Sequence, residues 1–342
     1  MRLSRSTGPT LADVAREAGV ALKTASRALN NDRYINAETA AHVLSVMKQL
    51  GYQPNELARG LKARRSAAIG MIVPNLADPF TATTVQAVQE VAKSHKHVVI
   101  MASTGGDPAI ESVEIGTLVR RQVDGLVIAP ADSRQEHFKT AIPEGIPTVC
   151  FDQPARNKSF DSITVTNQRG AREATEHLLG HGYRRILAIG ARPHLYTCAQ
   201  RVLGYRQAMR QAGLPDNSLL VEHEAQLTPE LLNTALAALP GKDFFALLPL
   251  NWVTTVATLR ALRKLGLRVG EHCALISHDD FDLAEVLTPS LTVIRQPSEE
   301  MGRIAAELLF DRIQEKTSVD SNRRITLPTK FVPRQSCGCV DL

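Results

Sequence analysis

The chain has 342 residues, 44% of them apolar and 22% charged, with a net charge of +5. At roughly 100–200 residues per domain this length calls for two or three units, and no apolar run approaches the ~18 residues of a membrane span. The opening MRLSRSTGPT lacks the apolar segment of a secretory signal, and five cysteines are an odd number for a disulfide framework, so residence in the cytoplasm is expected.

Residues 1–65 carry eleven Lys and Arg against five Asp and Glu, a local +6, while the remainder is close to neutral at −1. That is the footprint of a polyanion-binding module joined to a neutral body. Within it, Thr10 can cap a helix that has Asp13 in its first turn and runs to about Ala18. Gly19 permits the backbone that ends this helix, Val20 can plug the space between helices, and a second short helix covers Leu22 to Leu29. Asn36 is placed to cap a third, with Ala40, Val43, Leu44, Met47 and Leu50 on its apolar face and Gly51 after it. The spacing alone also fits any three-helix interaction domain; the local charge favours a DNA-binding helix-turn-helix. In such a unit the second helix enters the major groove. Lys23 and Arg27 can donate to guanine, Leu22 can meet a thymine methyl, and Thr24 and Ser26 suit phosphate oxygens.

PNELARGLK at 54–62 opens with proline at a helix start and sets Leu57, Ala58 and Leu61 on one face. From Ala67 the chain alternates short apolar runs (AIGMIV, HVVIMA, GLVIA, PTVCF, SITV, RILAIG, FFALL, CALIS) with segments of helical spacing such as TATTVQAVQEVAKSH and ATEHLLGHG. Alternating βα units imply parallel sheets covered by helices, with ligand bound beyond the C-terminal strand ends. The informative residues are those that follow strands: Asn75, Asp78 and Phe80, then Asp152, Asn251 and Asp279.

TLADVAREAGV, TASRALN, LGYQPNELARGLK and IGMIVPNLADPF resemble the N-terminal signature of the lactose-repressor/galactose-repressor (LacI/GalR) family, and the resemblance continues to the C-terminus. It implies an all-α helix-turn-helix headpiece (1–53, with Thr10 among its DNA-facing residues), a hinge helix and linker (54–66), and an α/β periplasmic-binding-protein-like core (67–336). Two parallel-sheet lobes make up that core, one of about 67–165 plus 295–330 and the other of about 166–294. By resemblance the hinge pairs with its twin and wedges Leu61 into the minor groove, with Asn55, Ala58, Arg59 and Lys62 around it. Nine residues including Gly60 are too weak a helix to form alone. The implied function is a sequence-specific transcriptional repressor, a homodimer on an inverted-repeat operator, controlled by a small effector between the lobes. DPF at 78–80, FD at 151–152, RVLG at 201–204 and DD at 279–280 match the family's effector contacts, which adds Arg201 to the set. Carboxylate, guanidinium and amide groups around an aromatic face suit a carbohydrate.

Several positions depart from the family pattern. Ala21 replaces the usual serine that caps the recognition helix. Asn251-Trp252 replaces Asn-Asp, and the large aromatic there can either widen the stacking surface at the cleft or pack against the sheet; Thr166 stands where aspartate is usual, and Ser277-His278-Asp279 replaces Gly-aromatic-Asp. With no leucine heptads in the sequence after the core, a tetramer built in the lactose-repressor way is not expected. A solute-binding protein would share the core but not the basic headpiece. No P-loop, GxSxG, HExxH or GxGxxG motif points to an enzyme, and no cofactor is called for. Cys150, Cys198 and Cys273 are isolated. Cys337 and Cys339, spaced as CGC with no histidine near them in the chain, read as a C-terminal turn and not as a metal site.

Overall fold

The structure, a computed structural model, describes residues 9–30, 32–52, 66–241, 244–314 and 322–339. They fall into two compact units with separate cores, Met1–Ser66 and Ala67–Leu342.

The first unit holds three helices, α1 (Leu11–Glu17), α2 (Leu22–Leu29) and α3 (Ala37–Leu50). Each terminus has a local cause. The Thr10 hydroxyl accepts from the Asp13 amide at 3.3 Å while the Asp13 carboxylate accepts from the Thr10 amide at 2.9 Å, a reciprocal capping box. Gly19 and Gly51 adopt φ of +65° and +64°, and Asn36 accepts from the Glu38 amide. Ala21 leaves α2 without a side-chain cap. The core is Val14, Ala15, Ala18, Ala25, Ala28, Val43, Val46 and Met47. Leu44, expected inside, is 49% exposed, and Val46 takes its place. The pattern 43, 46, 47, 50 is the i, i+3, i+4, i+7 stripe of one helix face, and position 44 falls off it. The expected hinge, 54–62 with Asn55, Ala58, Arg59, Leu61 and Lys62, lies outside the described residues.

The second unit contains two six-stranded sheets. The first has the order β11-β5-β4-β3-β1-β2 and is wholly parallel, built from β1 (Ala68–Val73), β2 (Val98–Ser103), β3 (Leu126–Ile128), β4 (Thr148–Phe151), β5 (Asp161–Val165) and β11 (Arg324–Leu327). The second has the order β12-β10-β9-β8-β6-β7, from β6 (Arg185–Ala191), β7 (Ser218–Val221), β8 (Phe245–Pro249), β9 (Cys273–His278), β10 (Thr292–Arg295) and β12 (Lys330–Val332); only β12, at the edge, is antiparallel. All eight apolar runs form strands. The four strands that the apolar runs do not single out, β7, β10, β11 and β12, have three or four residues each.

Helices α4 (Pro79–Ser94), α5 (Pro108–Arg120), α6 (Phe138–Ala141) and α11 (Ser298–Ile313) belong to the first lobe, and α7 (Asn167–Gly180), α8 (Tyr196–Gln211), α9 (Pro229–Ala237) and α10 (Trp252–Lys264) to the second. Every residue of β1 is buried, which explains its unbroken apolar run. The chain passes between lobes after β5, after β10 and after β11. Asp161 at the head of β5 anchors the returning tail through Arg312 of α11 at 2.7 Å and Arg323 at 2.9 Å.

Helix α7 lies so close to α8 that a Cβ on Gly204 would come within 2.0 Å of the Gln168 carbonyl. Gly204→Ala must push backbone apart, so it should destabilise the second lobe by about 1–3 kcal/mol. A thermal melt of full-length protein that shows no loss would contradict this close contact.

Candidate functional site

The residues predicted at strand ends converge at the C-terminal edges of the two sheets. Asp78 follows β1 and caps α4, accepting from the Phe80 amide at 3.0 Å. Asp152 follows β4 and Asp279 follows β9, and both hold φ in the left-handed region, +64° and +78°. Non-glycine residues there are uncommon, and such strain concentrates at binding sites. Arg201, on the second turn of α8, is buried; its Nε donates to Asn167 Oδ1 at 2.7 Å and its Nη1 to the Leu250 carbonyl at 2.6 Å. Asp279 accepts from the Trp252 amide at 3.0 Å and from the Gln296 carboxamide, with His278 Nδ1 at 3.3 Å. Among the described residues no donor reaches the Asp152 carboxylate.

Three carboxylates therefore interact with one guanidinium. Burial, then the Asp279 charge and more weakly that of Asp152, pushes the Asp78 carboxyl up to about 7 against the Phe80 amide and Arg201. Burial pushes Asp152 up to about 6, with Arg201 opposing. Burial would raise Asp279 as well, but the His278 hydrogen bond, the Arg201 charge and Gln296 outweigh it and hold that carboxyl well below the usual range. His278 is pushed down to about 4, by burial first and Arg201 second, so its ring is neutral near pH 7. A neutral ring that donates from Nδ1 carries a bare acceptor at Nε2. That atom and Gln296 Oε1 are buried without a protein partner.

Around this cluster the lobes touch. Arg192, just past β6, donates to the carbonyls of Gly106 at 2.9 Å and Gly105 at 2.7 Å. The Tyr196 amide at the start of α8 donates to Ser133 Oγ at 2.7 Å and Gln153 Oε1 at 3.1 Å. An open groove of about 620 Å³ starts at Phe80, Asp279 and Gln296 and runs out over Phe281 and Arg303; Asp152 and Arg201 are not part of its wall.

Other predicted positions are less central. Asn75 is exposed and accepts from the Ala77 amide, shaping its own loop. Asn251 caps α10 through the Thr254 amide. The Trp252 ring packs on Phe281 with centroids 4.7 Å apart. Sequence reasoning missed Gln296, Arg192, Tyr196, Ser133 and Gln153. Gln296 directly follows β10, a strand too short to be noticed, so the strand-end rule does not reach it. The reading of CGC also needs correction in one respect: no histidine is near Cys337 and Cys339 in the chain, but His177 and His181 are beside them in space.

In the helical unit, Leu22 is 53% exposed and Lys23 is exposed, both on the first turn of α2. Thr24 and Ser26 are half-buried. Arg27 is half-exposed with its Nε 3.6 Å from Asp32, a distance of ion pairing rather than hydrogen bonding. The Thr10 hydroxyl donates to Asp13 at 2.6 Å.

No helix among the described residues is long and apolar enough to cross a membrane. Residues 10–55 match the profile of bacterial regulatory proteins, lacI family, and residues 175–337 that of a periplasmic binding protein-like domain. The ribose operon repressor of Escherichia coli (strain K12) is 31% identical over 329 residues, covering 93% of this chain and 97% of its own. The HTH-type transcriptional repressor PurR of Aliivibrio fischeri (strain MJ11) is 29% identical over 321 residues, covering 92% of this chain and 94% of its own. Among solved structures, the lac repressor dimer bound to operator and the anti-inducer ONPF superposes with a TM-score of 0.82 at 23% identity, over 97% of this chain and 99% of that one. These relatives are regulators rather than enzymes. With a helix-turn-helix headpiece, two parallel-sheet lobes and similarity along nearly its whole length to transcriptional repressors, the chain belongs to the lacI family of bacterial regulatory proteins and is a DNA-binding transcriptional repressor under the control of a small-molecule effector.

Proposed function

We propose that the effector is a neutral sugar, bound between the lobes by Asp78, Phe80, Asp152, Arg201 and Asp279, with Trp252 at the margin, and that its binding changes operator affinity. The observation that carries this is the set of three strand-end carboxylates within electrostatic reach of one buried guanidinium. Sugar hydroxyls donate to carboxylates and accept from the guanidinium, while three acids repel an anionic ligand. The ribose operon repressor relatives support the same class.

On the DNA side, Lys23 and Arg27 read guanine edges, Leu22 meets a thymine methyl, and Thr24 and Ser26 hold phosphates. Thr10 lies near the backbone, Arg27 leaves Asp32 on binding, and Leu61, with Asn55, Ala58, Arg59 and Lys62, forms the minor-groove wedge of a homodimer on an inverted repeat. A ligand can shift DNA affinity only through different affinities for two arrangements of the core.

Arg27→Ala should cost about 1–3 kcal/mol on operator DNA and much less on unrelated sequence; titrations that show equal losses on both would remove Arg27 from base readout.

Asp152→Asn keeps shape and disturbs no protein hydrogen bond, yet should weaken sugar binding about 10- to 100-fold, the worth of a charge-assisted bond. Operator affinity without sugar should stay unchanged. Calorimetry with a panel of neutral sugars, sugar phosphates and nucleobases tests this, and binding confined to phosphates or bases would overturn the sugar reading.

The pH behaviour has two opposite signs. In the free chain Asp78 and Asp152 keep protons that the unfolded chain has shed, so their contribution to stability is present below the ordinary aspartate range and is lost as pH rises through about 6 and about 7. Sugar requires them ionised, so affinity should rise over the same window. Melting temperatures with and without sugar across that window should show both trends, and Asp78→Asn should flatten them; parallel curves would count against these two acids.

A further inference from the structure

Away from the cleft, four side chains from distant parts of the sequence meet near the C-terminal end of α7. His177 lies on the last turn of that helix and His181 caps it four residues later, and their rings touch edge to face with centroids 4.6 Å apart. Cys337 ends the short turn Gln335–Cys337, and Gly338, at φ +96°, reverses the chain before Cys339. His177 Nε2 is 3.2 Å from Cys337 Sγ and 3.5 Å from Cys339 Sγ, and His181 Nε2 is 3.4 Å from Cys339 Sγ. The two sulfurs are 3.3 Å apart and unbonded, and all four donor atoms lie within 4.8 Å of one another. A tetrahedral zinc ion with bonds of about 2.3 Å to sulfur and about 2.0–2.1 Å to nitrogen spaces its ligand atoms roughly 3.3–3.8 Å apart. The donor set matches that spacing with little movement.

The surroundings hold the set in place. Thr292 of β10 donates its hydroxyl to Cys337 Sγ at 3.0 Å, the kind of outer hydrogen bond that steadies a metal thiolate. Ser336 donates to the Leu275 carbonyl at 2.6 Å and accepts from the Thr292 amide at 2.8 Å, which stitches the turn to β9 and β10. His181 is exposed, so an ion can enter.

We propose that His177, His181, Cys337 and Cys339 bind one zinc ion in a closed Cys2His2 site. Two nitrogens and two sulfurs in a tetrahedron suit zinc and exclude magnesium or calcium. On binding, the two thiols release their protons to solvent and form two metal–thiolate bonds, while both imidazoles bind neutral. With four protein ligands no position remains for water, so the role is structural. The ion ties the end of the chain to α7, whose first residue, Asn167, accepts from Arg201 in the effector cleft. The site is independent of which effector the cleft takes.

The test is metal analysis of the full-length protein, purified and reconstituted with zinc under reducing conditions, beside His181→Ala and Cys339→Ser. One zinc per chain is expected in the parent. Cobalt(II) should give the visible bands of tetrahedral coordination with a thiolate charge-transfer absorption. Both variants should lose stoichiometric zinc, and a chelator should lower the melting temperature of the parent but not of the variants. Absence of zinc from the reduced parent, an octahedral cobalt spectrum, or undiminished uptake by both variants would overturn the site. So would a Cys337–Cys339 disulfide whose reduction restores no metal binding.

Discussion

The cluster at the C-terminal strand ends depends on one buried cation. Arg201 is removed from water, where an unpaired guanidinium would cost several kcal/mol, and its environment compensates with the Asn167 side chain, the Leu250 carbonyl and three aspartates within electrostatic reach. Asn167 begins the helix entered from the first crossover, and Leu250 lies just beyond β8. The arginine therefore joins a crossover, a strand end and its own helix. Burial raises the Asp78 and Asp152 carboxyls, the Asp279 charge adds to it, and the single guanidinium opposes the rise without cancelling it.

Among the described residues, hydrogen bonds between loops hold the lobes in contact. Arg192 on the carbonyls of Gly105 and Gly106, and the Tyr196 amide on Ser133 and Gln153, connect loops of opposite lobes at the rim. Thr166 and Thr329 hydrogen-bond at 3.0 Å and link two of the crossovers. The threonine at 166 is thus used between chain segments. A ligand can bias DNA binding only if it binds two arrangements of the lobes with different affinity.

The C-terminal segment serves both lobes. Helix α11 and β11 complete the first, fastened by Asp161 to Arg312 and Arg323. Strand β12 and the turn that ends in Cys337 complete the second, where Asp280 receives Arg295 and Arg334 and the histidine–cysteine cluster closes on α7. The last residues act as a brace across strands separated widely in sequence. A spacing of CGC conveys none of this, because the other two donors are some 160 residues upstream.

What the sequence determined by itself is whatever depends on near neighbours. The capping box of Thr10 and Asp13, the left-handed Gly19 and Gly51 and the Asn36 cap act within four residues, so the helix-turn-helix was legible, and only the stripe position of Leu44 was misjudged. Strands rich in apolar residues stand out as runs, so eight of twelve could be recognised; β7, β10, β11 and β12 are short and lie outside those runs. The placement of Asp78, Asp152 and Asp279 just past strands was legible because the apolar runs mark where each strand stops. Gln296, the rim contacts of Arg192 and Tyr196, the capping use of Asn251 and the meeting of His177 and His181 with Cys337 and Cys339 were decided by the tertiary structure alone. Each depends on contacts or burial that exist only once distant segments pack together, and no local pattern encodes them.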